Sequence, residues 1–121
     1  MKSKNIINSF KYAFAGIKSA FRTERNLKIH ITIVLITTIM GVILKLKSWE
    51  WIVCISWFAI VIGGELFNTA IEITVNLAMP KIDNDAKRAK DISAGGVLIF
   101  AIGSAIIGFI IFVPKLISLI K

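Results

Sequence analysis

Three nearly unbroken apolar runs, 29–46, 51–77 and 92–113, limit what this chain can become. A helix needs about 20 residues to cross a hydrocarbon core of roughly 30 Å. Inside lipid a segment must satisfy its own backbone hydrogen bonds, which favours helices for runs of this length. The expected fold is therefore all-α and integral to a membrane. It forms one domain over 1–121, with spanning helices at 29–46, 51–79 and 92–113. Composition agrees: the chain is 56% hydrophobic, above the roughly 45–50% apolar content of soluble domains. Three short spans enclose little interior, so a site of any size favours an oligomer.

Charge position sets the expected orientation. Lys2, Lys4, Lys11, Lys18, Arg22, Arg25 and Lys28 precede the first run, and Lys81, Lys87, Arg88 and Lys90 lie between the second and third. Lys45 and Lys47, then Lys115 and Lys121, are the only basic residues elsewhere. The positive-inside rule predicts a cytoplasmic N-terminus and 80–91 loop, and an external 45–50 loop and C-terminus. On such a protein the basic segments suit anionic headgroups better than nucleic acid. Cys54 is the only cysteine, which excludes an internal disulfide and reads as a small apolar residue. The N-terminal stretch lacks the continuous apolar core of a signal peptide.

Residues 3–22 place Ile6, Ile7, Phe10, Phe14, Ile17 and Phe21 at helical spacing, with Lys4, Lys11, Lys18 and Arg22 opposite. This pattern predicts an amphipathic helix within 1–25 that lies in the membrane interface. Thr23, with Asn26 three residues on, is a weak capping signal for the first span. Glu24 is the only acid in the first 49 residues and reads as a counter-charge. His30 reads as an interfacial polar residue, since the chain has no second histidine. Trp49 and Trp51 fall where interfacial aromatic anchors belong. Pro80 ends the second span, and Asn84-Asp85 is turn chemistry. Ala94, Ala101, Ala105 and Gly108 fall on one side of the third span, as small residues do where helices approach in lipid.

The second span carries residues that are costly in lipid. From 51 to 79 a continuous helix runs about 43 Å, so its last third emerges on the cytoplasmic side. Within GGELFNTAIEITVN (63–76), Glu65, Asn68, Thr69, Glu72 and Asn76 fall inside an arc of about 100°. An amphipathic helix end explains Glu72 and Asn76. It does not explain Glu65, which is deepest and follows apolar residues, and an ionisable group inside a span marks a functional site. Desolvation at that depth suits a carboxyl to proton acceptance. Two activities remain open: transport that uses the buried Glu65, and phosphoryl transfer at the surface. The second needs carboxylates for Mg²⁺, a base for an acceptor hydroxyl and cations for polyphosphate. No Walker loop is present.

GELFNTAIEITVNL followed by AKRAKDISAGGVLI resembles the prokaryotic diacylglycerol kinase/undecaprenol kinase family over nearly the whole chain. The resemblance implies a surface helix and three spans in a homotrimer, with active sites shared between protomers. It implies Glu65 as the general base for a lipid hydroxyl and Asn68 as a polar group near the reacting phosphate. It implies Glu24 and Glu72 as Mg²⁺ carboxylates, and Tyr12, Lys90 and Asp91 as contacts to ATP. One departure is visible: Asn76 stands in TVNL where the family often has Asp. The ERN and AKDISAG segments resemble the Gram-positive branch, for which undecaprenol rather than diacylglycerol is the expected acceptor. The implied location is a bacterial cell membrane.

Overall fold

The computed structural model describes residues 5–121, so Lys2 and Lys4 of the basic N-terminus lie outside the described residues. Four helices follow in order: α1 (Ile6–Thr23), α2 (Arg25–Ile43), α3 (Ser48–Ala78) and α4 (Asn84–Ile120). The last three are long and apolar enough to cross a membrane. α1 begins where the Asn5 side chain accepts from the Asn8 amide at 2.9 Å, which satisfies one of the free donors of the first turn. It ends at Glu24, whose extended backbone (φ −105°, ψ 111°) separates α1 from α2. Thr23 does not cap α2. It is the last residue of α1, and its hydroxyl donates back to the carbonyls of Ser19 and Ala20.

The α2–α3 connection is a tight reversal. Lys45 takes the left-handed conformation (φ 56°), which is unusual for a residue with a Cβ. The Leu46 amide donates to the Gly41 carbonyl at 3.1 Å and the Lys45 amide to Val42 at 3.3 Å. That is the Schellman pattern, with lysine where glycine is usual. Trp51 folds back across this turn onto Gly41, where an added Cβ would stand 2.8 Å from the indole. It is therefore a packing residue, whereas Trp49 is exposed as an anchor would be. Glu50 accepts from the Lys47 amide at 2.8 Å and also pairs with Lys115 of α4 at 3.1 Å.

α3 stops before Pro80. α4 starts earlier than the 92–113 run because Asp83 caps it, accepting from the Ala86 amide at 3.0 Å. Asn84 and Asp85 thus form its first turn instead of a free loop. α4 also continues through Pro114, beyond the end of the apolar run.

α3 is the central rod. It packs along α4, and also against α2 and α1. An antiparallel ladder of contacts fixes the α3–α4 register: Glu50 with Lys115, Trp57 on Gly103 and Phe100 on Gly64. The buried core is small. Leu46, Cys54, Ile111 and Phe112 cluster near the α2–α3 turn, and Leu27 is the only large side chain fully enclosed among the described residues. Ala101, Ala105 and Gly108 line an apolar cavity of about 270 Å³ between α2, α3 and α4, with His30 also on its wall.

Candidate active site

The polar stripe of α3 is graded along the helix. Glu65, Asn68 and Thr69 are 3%, 9% and 6% exposed, Glu72 is half-buried and Asn76 is exposed. Two observations bear on that order. Phe100 lies over Gly64 and covers α3 beside Glu65. α1 and α2 pack on the same helix. Thr69 is not a free member of the stripe, because its hydroxyl donates to the Glu65 carbonyl at 3.0 Å, one turn back.

Glu65 has a partner that sequence reading misses. His30 Nε2 lies 3.3 Å from Glu65 Oε1, with both side chains largely enclosed. His30 is thus part of the site and not merely an interfacial polar residue. The α2–α3 hairpin register carried a signal for it. Gly41 meets Trp51, and equal steps away from that contact along each helix bring His30 within one turn of Glu65.

Two more carboxylates flank this pair along the chain. Glu24 is half-buried in the bend between α1 and α2, and Glu72 lies two turns beyond Glu65 on α3. Asn68 Nδ2 donates to Glu72 Oε1 at 3.2 Å, which orients that carboxylate. Asn68 Oδ1 is buried and has no partner among the described residues. A buried acceptor left open is costly, and an incoming donor or hard cation would satisfy it. No cluster of three or more acidic, histidine or cysteine ligands stands together among the described residues. That excludes a ready-made all-protein cage. It fits Mg²⁺, which commonly takes one or two carboxylates and completes its shell with water and phosphate.

The other expected residues sit around this centre. Tyr12 borders a cleft of about 420 Å³ between α1 and α3, whose far wall includes Leu66, Thr69 and Ala70. Lys90 is half-buried in the second turn of α4, and the antiparallel register sets it level with the Glu72–Asn76 end of α3. Asp91 is exposed and its Oδ2 is engaged by Lys87 Nζ at 2.6 Å. His30 thus meets Glu65 and Asn68 meets Glu72 directly, with Glu24 at the α1–α2 bend, Tyr12 at the neighbouring cleft and Lys90 and Asp91 on the facing helix.

A helical chain with three membrane-length helices and acidic groups graded from buried to open defines a small polytopic membrane enzyme. The chain belongs to the prokaryotic diacylglycerol kinase family of lipid kinases, whose model matches residues 11–112. It is 44% identical to an undecaprenol kinase of Bacillus subtilis over 112 residues, 89% of this chain and 88% of that protein. It is 37% identical to a diacylglycerol kinase of Synechocystis over 95% of this chain and 66% of the relative. A diacylglycerol kinase of Haemophilus influenzae is 32% identical over 78% of this chain and 80% of its own length.

Proposed function

We propose that this protein transfers the γ-phosphate of MgATP to the hydroxyl of undecaprenol at the cytoplasmic face of a bacterial cell membrane. The observation that carries the reading is the graded stripe: a carboxylate enclosed at Glu65 and an amide-carboxylate pair, Asn68 and Glu72, toward the open end of the same helix. Glu65 takes the proton of the acceptor hydroxyl. The hydroxyl oxygen bonds to the γ-phosphorus, and the bond to the bridging oxygen breaks with its electron pair leaving on ADP. Glu24 and Glu72 would hold Mg²⁺, which supplies charge neutralisation at the phosphates. Lys90 offsets further phosphate charge, Asn68 lies next to the reacting group, and Tyr12 and Asp91 contact the nucleotide.

The rest of the reading concerns placement. α1, with Ile6, Ile7, Phe10 and Phe14 exposed, lies in the interface as an amphipathic surface helix, and the whole of 1–121 is one lipid kinase domain. The basic N-terminus and the 80–91 segment are cytoplasmic, and the C-terminus is external. Three protomers assemble with active sites between them. The wide apolar exposure of α2 and α4 supports such contacts.

Diacylglycerol is the second acceptor to consider, because two of the relatives are named for it. The test offers undecaprenol and diacylglycerol in competition to purified protein in mixed micelles with γ-labelled ATP and Mg²⁺. Label is expected chiefly in undecaprenyl phosphate. Label mainly in phosphatidic acid would reverse the acceptor, and no labelled lipid together with gradient-driven uptake in vesicles would favour transport. In the same assay Glu65→Gln is expected to abolish transfer in a folded protein, and normal turnover would remove Glu65 as the base.

A further inference from the structure

The base in this reading is nearly enclosed: the Glu65 side chain is only 4% exposed, so water cannot solvate it fully. At this level α4 contributes the apolar Phe100 beside Gly64. The imidazole of His30 is the polar group that meets the carboxylate, with Nε2 at 3.3 Å from Oε1. A single ring nitrogen engages one carboxylate oxygen, so the contact distinguishes Oε1 from Oε2. His30 is anchored on α2 and Glu65 on α3, which pack together. The ring is held in place by its helix, not by a loop.

We propose that His30 is a positioning residue for Glu65. Its Nε2–H donates to Oε1, fixes the carboxylate rotamer and leaves Oε2 directed to the acceptor hydroxyl. This rests on the reading of Glu65 as the base. In the transfer step Oε2 receives the hydroxyl proton while Oε1 keeps its bond to His30, so the imidazole itself gains and loses nothing. Orientation of this kind acts on the chemical step and leaves nucleotide binding alone, because a misplaced base costs rate once both substrates are bound.

The experiment measures kcat and KM for full-length His30→Ala and His30→Gln in micelles, with circular dichroism and gel filtration as folding controls. Glutamine retains an N–H donor of similar reach, and alanine has none. Alanine is expected to lower kcat by about 10- to 100-fold with KM for ATP within roughly twofold. Glutamine is expected to restore most of the rate. A wild-type kcat in His30→Ala, or an equal defect in both variants, overturns the proposal. So does a rise in KM for ATP at constant kcat. Should His30→Ala fail to fold, His30→Asn replaces it: the shorter amide is expected to be impaired where Gln is not, and equal rates overturn the assignment. An active Glu65→Gln refutes the base itself. An inactive Glu65→Gln beside an indifferent His30→Ala refutes only the positioning role.

Discussion

The adjacent glycines 63 and 64 provide a controlled test of how α3 is held against α4. A Cβ at Gly63 meets nothing within 4 Å, whereas one at Gly64 would stand 2.7 Å from Phe100 Cδ2 and 3.0 Å from Cε2. Both sit in the interior of α3, so alanine brings each the same gain in helix propensity, about 1 kcal/mol. Overpacking a tight contact costs about 1–3 kcal/mol. The propensity gain cancels between the two variants, and their difference reports the clash alone. Gly63→Ala is expected to be more stable than wild type by about 1 kcal/mol. Gly64→Ala should lie below Gly63→Ala by about 1–3 kcal/mol, around one power of ten in the unfolding equilibrium for each 1.4 kcal/mol. The assay is a reversible denaturant titration in micelles followed by circular dichroism. Phe100→Leu in the Gly64→Ala background is expected to recover part of the loss, which a double-mutant cycle isolates. Equal stability of the two alanine variants, or the reverse order, would refute this account of the α3–α4 contact.

Two further outcomes are expected. Glu24→Gln and Glu72→Gln should each raise the Mg²⁺ concentration needed for half-maximal rate by about tenfold or more, since on the proposed reading each removes one of the few protein ligands; a Mg²⁺ titration superimposable on wild type removes that residue from the proposed metal site. Glu50→Lys and Lys115→Glu should each lower the denaturation midpoint, because the pair at 3.1 Å ties the start of α3 to α4. The double exchange should regain most of the loss, and a double variant as unstable as the worse single one refutes the pairing.

Much of the helical plan was legible because it depends on local pattern. The apolar runs, the stop at Pro80 and the one-sided placement of Glu65, Asn68 and Glu72 follow from helical geometry alone. Cap chemistry was less legible. Thr23 and Asn84-Asp85 are good cap and turn residues in isolation, but α2 starts after Glu24 with no side-chain cap, Asp83 caps α4 and Lys45 makes the left-handed turn without glycine. Contacts between helices were least legible. His30 with Glu65 and Glu50 with Lys115 depend on hairpin register, which no single-helix periodicity contains. Gly64 and Gly103 likewise look like neutral small residues until Phe100 and Trp57 are brought against them.

The geometry of α3 bears on why one helix carries both kinds of acid. A lipid hydroxyl and a nucleotide come from opposite sides of an interface, so the base and the metal ligands must differ in their access to water and still keep a fixed separation. Glu65 and Glu72 are seven residues apart on one helix, a rise of about 10 Å that returns to nearly the same face. On the proposed reading, the enclosed position would serve proton transfer and the half-open one a hydrated cation. Sliding α3 by one turn, about 5.4 Å, would take Glu65 off His30. The contacts of Trp57 with Gly103 and Phe100 with Gly64, and the Glu50–Lys115 pair, resist that slide at three levels of the rod. Glu24 stands apart from this arrangement. It is the one carboxylate of the group borne by an extended residue between two helices.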